Sequence, residues 1–246
     1  MKTTNRTVLI TGGGSGIGFE IAKLLLEAGN EVIITGRTES RLKEAAEKLK
    51  GVHLFTSDIT NENDVNELVN YLSKNHPKLD LLINNAGKAY AYELSATADI
   101  FEKAKAETQT NYLSVINLTE KLLPLLNEQP EAAIVNVTSI VAFAASSKMS
   151  TYAASKAALH SFTQSLRYTL AKNTGIKVFE LMPPLVDTEF SKEIGGHNGI
   201  PPGQVAEELI AGLNDDNYEI HVGGTADFYK LSLSSPQEAF KLFNQD

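Results

Sequence analysis

The sequence contains no cysteine among its 246 residues. Disulfides and thiolate metal ligation are therefore excluded, and a reducing compartment such as the cytoplasm fits. Basic charge is also scarce: 22 Lys and Arg stand against 30 Asp and Glu, a net charge of −8. A general binder of nucleic-acid backbones needs a basic face, so that class is disfavoured. A local anion site built from backbone amides remains open. Long hydrophobic runs are missing as well. The longest uncharged stretch, "AAIVNVTSIVAFAASS" at 132–147, has 16 residues and includes Asn, Thr and Ser, too short and too polar to span a bilayer. The N-terminus "MKTTNRTVLITGGGSGIG" reaches glycine after too few apolar residues for a signal-peptide core. A soluble cytoplasmic protein is expected. No linker, charge block or repeat divides the chain, so residues 1–246 read as one domain.

What is present is an alternation. Short apolar runs at 7–11, 31–35, 52–56, 79–84, 132–138, 176–182 and 218–222 are separated by longer helical patterns. Continuous apolar runs of this kind mark strands buried on both faces. Between the first two, Ile17, Ile21, Leu24, Leu25 and Ala28 recur at helical spacing, and Gly29 stops the helix. The fold class expected is α/β, a doubly wound sheet of about seven parallel strands with helices on both faces. The stretch 188–203, "TEFSKEIGGHNGIPPG", has four glycines, two prolines and no clear period. It follows the sixth strand, at the carboxyl edge where such sheets bind ligands, and reads either as a substrate lid or as a long surface loop. The segment 218–246 follows it.

The first strand runs into "TGGGSGIG", with glycines at Gly12, Gly16 and Gly18, and then into a helix. Gly12 can make the tight turn, and Gly16 lets backbone amides approach a pyrophosphate at the helix N-terminus. Gly18 allows close helix–sheet packing, and Ser15 can add a hydroxyl donor. No G-x-x-x-x-G-K-[ST] occurs, which argues against a nucleotide hydrolase. The second strand ends in "TGR", with no carboxylate for a ribose 2′-hydroxyl. Arg37 can instead offer its donor fork to a 2′-phosphate, favouring NADP over NAD, or be a solvated loop arginine. The five histidines, His53, His76, His160, His197 and His221, show no paired ligand spacing, and no metal site is expected.

Further motifs resemble the short-chain dehydrogenase/reductase family in order along residues 5 to about 215. "TGGGSGIG" looks like its cofactor turn, "DIT" with Asp58 and Ile59 like its adenine-side loop, and "NNAG" like its motif after the fourth strand. Asn111 matches the helix asparagine, Ser139 the active-site serine, and "YAASK" the Y-x-x-x-K pair Tyr152 and Lys156. The resemblance implies cofactor contacts from Gly12, Ser15, Gly16, Ile17, Gly18 and Arg37. Further contacts are implied from Asp58, Ile59, Asn85, Ala86, Gly87, Tyr152, Lys156, Pro183, Val186 and Thr188. It implies reduction of a small-molecule carbonyl, or oxidation of the alcohol, by hydride transfer. Tyr152 would serve as acid/base, Ser139 would hold the reacting oxygen, Lys156 would hold the ribose, and Asn111 would support a relay water. Tyrosine ordinarily ionises near 10, and Lys156 one helical turn away, helped by the positive nicotinamide of the oxidised complex, is expected to lower it towards 7.

Two departures from the family pattern stand out. Pro184 occupies the position where the family usually has glycine, and it removes an amide. The C-terminus looks more like the branch that includes oxidoreductases of the D-alanyl–lipoteichoic acid operon. Tyr90, Tyr92, Val141, Phe143, Met149, Leu185 and Phe190 follow strand ends and could line an apolar substrate pocket or pack in the core. Asp187 and Glu189 read as solvated loop carboxylates. The resemblance also implies a homodimer or homotetramer through the helices carrying Asn111 and Tyr152. A non-catalytic NADP(H)-binding redox sensor or scaffold is the alternative function.

Overall fold

A computed structural model describes residues 1–245. The alternation becomes seven strands: β1 Thr7–Thr11, β2 Glu31–Gly36, β3 His53–Thr56, β4 Leu81–Asn84, β5 Ala133–Val137, β6 Lys177–Met182 and β7 Glu219–His221. All pair in parallel, in the order β3-β2-β1-β4-β5-β6-β7. The order reverses between β1 and β4, and the crevice at that switch point opens at the carboxyl ends of the strands.

Period-2 alternation assigns each strand residue to a face. Val8 and Ile10 of β1 point to one side, where α1 (Gly16–Glu27), α2 (Glu39–Lys48) and α7 (Pro202–Asn214) pack through Ile21, Leu25, Leu42, Val205 and Leu209. Leu9 points to the other side, onto α3 (Glu62–Asn75), α5 (Ser114–Asn127) and α6 (Ser150–Asn173), through Leu68, Leu72, Leu118, Leu122 and Leu170. All these side chains are buried, so the sheet is the middle layer of three. At the end of α1, Gly29 takes φ +81° and donates to the Leu26 carbonyl, the expected stop.

Two regions carry more order than their sequences suggest. Residues 188–203 form short 3₁₀ turns at Glu189–Ile194 and Gly196–Asn198, and α7 already begins at Pro202. The chain after β7 forms α8 (Thr225–Ser234) and α9 (Pro236–Phe243). Between α4 (Ile100–Thr108) and α5, residues Gln109–Leu113 make a π turn around Asn111. No helix among the described residues is long and apolar enough to cross a membrane.

Candidate active site

A cleft of about 1390 Å³ runs along the carboxyl edge of the sheet. At its centre, Gly12 and Gly16 adopt φ of +66° and +55°, a region other residues enter at a cost. A Cβ on Gly18 would lie 2.5 Å from the Gly12 carbonyl oxygen and 2.5 Å from Asn85 Nδ2. Gly18 thus lets the helix abut its own turn, a closer contact than the helix–sheet packing expected from sequence. The first turn of α1 has no acidic side chain, and Ser15 leaves its amides uncapped. Those amides and the helix dipole face the cleft, which suits a phosphate. The cradle therefore fits a dinucleotide.

On one flank, Asp58 Oδ1 accepts from the Thr60 amide at 2.9 Å and its hydroxyl at 2.7 Å, fixing the loop that brings Asp58 and Ile59 to the wall. Arg37 also lines this wall, exposed and without an ion pair among the described residues. The next acid along the chain, Glu39, is turned into a 2.7 Å pair with Lys43 and does not line the cleft. Arg41 does, a second cation that the sequence reading passed over. It pairs with Glu189 at 2.9 Å, so Glu189 is not the purely solvated carboxylate expected.

The "NNAG" segment is held from below. Thr11 Oγ1 accepts from the Asn85 and Ala86 amides at 3.0 Å each, and Asn85 Nδ2 donates to the Thr11 and Gly12 carbonyls at 2.9 and 3.2 Å. Asn85, Ala86 and Gly87 border the cleft, but both Asn85 side-chain hydrogens are spent on the turn. Asn111 lies beneath the wall. Its Oδ1 accepts from the Lys88 amide at 2.8 Å, while Nδ2 donates to the Lys88 carbonyl at 2.8 Å and to Ser155 Oγ at 2.9 Å. Both donors are used, so Nδ2 has none left for a relay water. Asn111 positions the loop after β4. Of the catalytic and cofactor-contact residues expected from sequence, only Asn111 and Gly18 lie off the cleft surface.

Ser139, two residues beyond β5, and Tyr152 and Lys156, one helical turn apart on α6, meet on the opposite wall. The Ser139 hydroxyl accepts from the Val141 amide at 3.4 Å and is close enough to the Tyr152 hydroxyl to act on its ionisation. Lys156 Nζ donates to the Val137 carbonyl at 2.8 Å and lies 5.7 Å from the Tyr152 ring centre. Without the cofactor's charge the electrostatics run the other way. Burial pushes the Tyr152 hydroxyl well above its usual range; the Ser139 hydroxyl opposes this, and the Glu107 carboxylate adds to the rise. Burial also lowers Lys156 to about 8. Desolvation is the largest cause of both shifts in the free protein.

This lysine has a stability signature. Below pH 8 both folded and unfolded chains carry its charge. Between about 8 and its ordinary 10.5 only the unfolded chain does, so stability rises with pH in that window. Urea titrations of cofactor-free protein from pH 8 to 10 should show Lys156→Met with a less positive slope, by up to about 1.4 kcal/mol per pH unit. The Tyr152 contribution, of opposite sign, begins above pH 10. Identical slopes would contradict the burial of a titrating lysine.

Beyond Tyr152 the cleft becomes apolar. Val141, Met149, Leu185 and Phe190 line it, as does Tyr92, and the Phe190 and Tyr152 ring centres are 6.1 Å apart. Tyr90 and Phe143 do not. Phe143 packs instead against His160, His221 and Tyr229. Ile194 and Phe243 complete the wall. Phe243 comes from α9, which Asn244 ties down by accepting from the Ser147 amide at 2.6 Å and donating to the Ala145 carbonyl at 2.9 Å. Buried Glu107 also went unmarked in the sequence; it holds the Tyr90 amide at 2.8 Å and the Thr151 hydroxyl. Pro183 accepts from the Ile140 amide at 3.0 Å, and Pro184 faces the cleft without an amide to offer. Val186 pairs with Ile200, and Thr188 Cγ2 would lie 3.1 Å from a Cβ on Gly16. The 188–203 segment therefore sits over the glycine turn.

Residues 6–199 match the family model of the short chain dehydrogenases. The chain belongs to the short-chain dehydrogenase/reductase family. It is 41% identical over 226 residues to the uncharacterized oxidoreductase DltE of Bacillus subtilis strain 168, covering 89% of each chain. That places it with the DltE branch. A short chain dehydrogenase from Burkholderia cenocepacia, solved in complex with NADP, superposes with a TM-score of 0.88 at 27% identity over 100% of both chains. A short chain dehydrogenase/reductase from Burkholderia phymatum, in complex with NAD, superposes at 0.82 with 20% identity over 89% of both chains, a likeness of fold alone. As a member of the family this chain is an NAD(P)-dependent dehydrogenase or reductase.

Proposed function

We propose that this short-chain dehydrogenase/reductase is an NADP(H)-dependent reductase of a small or medium-sized carbonyl compound with an apolar body. The observation that carries the proposal is the convergence of Ser139, Tyr152 and Lys156 on the wall facing the glycine turn, where the cleft turns apolar. When bound, the nicotinamide supplies a hydride at C4. Ser139 would hold the substrate oxygen by a hydrogen bond. Tyr152 would donate its phenolic proton to that oxygen as negative charge develops, and Lys156 would hold the nicotinamide ribose. Asn111 would act as a positioning residue through the Lys88 loop.

Burial keeps the Tyr152 phenol protonated in the cofactor-free protein, the form that donates to a carbonyl oxygen. A phenol whose ionisation is pushed up remains protonated at neutral pH, as a proton donor must, whereas alcohol oxidation needs the phenolate. The wall of Val141, Met149, Leu185, Phe190, Ile194 and Phe243 would reward apolar surface at roughly 25 cal/mol per Å² buried. We also infer a homodimer or homotetramer, because Phe101, Leu113 and Tyr168 are exposed on α4, the π turn and α6. The absence of cysteine suits the cytoplasm.

NADPH oxidation followed against a panel of aldehydes and ketones of graded chain length tests the proposal. Turnover should rise with apolar length until the Phe243 wall is reached. Tight NADPH binding without turnover on any member would favour the sensor reading.

A further inference from the structure

The opposite edge of the sheet carries a cluster that the active site does not use. Glu31 opens β2, His53 opens β3, and His76 follows α3. The parallel register sets Ile33 of β2 beside His53, so the strand starts lie together at the amino edge, away from the cleft. His76 Nδ1 lies 2.9 Å from Glu31 Oε1, and His53 Nε2 lies 3.7 Å from the same oxygen. One ligand atom from each of the three residues falls within 4.8 Å of the others. No interval in the sequence marks the set, which explains why the histidines showed no ligand spacing.

We propose that Glu31, His53 and His76 form a site for a divalent transition-metal ion, zinc in chemistry, remote from the catalytic cleft. Two imidazoles and one carboxylate are a zinc donor set, leaving a fourth position for water. With metal–ligand bonds of about 2.0–2.2 Å, a tetrahedral site separates its donor atoms by roughly 3.3–3.5 Å. The 2.9 and 3.7 Å separations bracket that range. Rotation of His53, 46% exposed, closes the remaining edge.

Support around the ligands strengthens the assignment. A metal-binding histidine is oriented by a partner on its other ring nitrogen, and a ligating carboxylate by a hydrogen bond to its second oxygen. His76 has Tyr71 at 3.1 Å from Nε2, and Glu31 Oε2 accepts from the Thr7 hydroxyl at 3.0 Å. His76 is 4% exposed and therefore preset, while Glu31 and His53 open to solvent and give the ion a way in. Binding would take the neutral tautomer of His76 that carries its one proton on Nε2, donated to the Tyr71 oxygen, and leaves the Nδ1 lone pair for the ion. Metal would then tie β2, β3 and α3 together at the sheet's edge.

Calorimetric titration of the full chain with zinc chloride, after chelator treatment, tests this. One ion per chain should bind, and cobalt chloride should give the intense visible absorption of a low-coordinate site. His53→Ala and Glu31→Gln alter exposed ligands and should each weaken zinc binding at least ten-fold, whereas His197→Ala in the 188–203 segment should leave it intact. Unchanged melting temperatures of the variants in chelator would show that the fold is not what was lost. No saturable binding, or equal binding by wild type, His53→Ala and Glu31→Gln, would overturn the proposal.

Discussion

Tyr152→Phe should reduce carbonyl turnover by about 10²–10⁴-fold, the usual worth of a positioned general acid. The affinity for NADPH should change little. The substitution deletes one oxygen, beside Ser139, and leaves the ring buried against Met149 and Val141 in the cluster that shapes the pocket. Pre-steady-state NADPH oxidation and fluorescence titration of cofactor on the same preparation separate the two quantities. A variant with full activity would remove Tyr152 from the chemistry. Loss of cofactor binding in parallel with turnover would instead make the hydroxyl part of the binding site.

The same residue shows where sequence reasoning reaches and where it stops. Tyr152 and Lys156 were legible because four-residue spacing puts side chains on one helical face whatever surrounds them. Their ionisation was not, because it depends on how much water the fold removes. A lysine's charge near tyrosine lowers its pKa only if desolvation is smaller, and here both groups lie almost wholly within the protein. Glu107 illustrates the same gap. In "FEKAKAET" it reads like its charged neighbours, yet it is fully buried and answers to Tyr90 and Thr151.

The sheet was more transparent, since a strand buried on both faces must be apolar throughout. Each of the seven runs became a strand with ends within two residues of those expected. The 188–203 segment was not transparent, because 3₁₀ turns have neither the 3.6-residue nor the 2-residue period that betrays longer elements. Its order comes from contacts with distant chain: the Val186–Ile200 bridge, Arg41 against Glu189, and Thr188 against the glycine turn. The Phe243 wall was hidden for a related reason. Nothing local in α9 says which cleft its apolar side will cover.

Arg37→Ala should weaken NADPH binding by roughly 10–100-fold while changing NADH binding far less. Hydrogen bonds to charged groups contribute about 1.5–3 kcal/mol, and each 1.4 kcal/mol is a factor of ten. Arg37 is suited to a 2′-phosphate because it lines the cleft with no ion pair among the described residues, while Glu39, two residues on, is bound to Lys43 and lies off the cleft. Because Arg37 is exposed, the difference should shrink as salt is raised. Arg41 adds a second, conditional cation. Its exposed bond to Glu189 is of a type worth no more than about 1 kcal/mol, weak enough for a phosphate to displace. Glu189→Gln should therefore tighten NADPH a few-fold and leave NADH unchanged, since a freed Arg41 has no phosphate to meet in the latter. Competition titrations of both cofactors on the two variants read these effects directly. Equal weakening of NADPH and NADH by Arg37→Ala would place Arg37 on a part of the dinucleotide that both cofactors share, and the selectivity would then have to come from elsewhere on the wall.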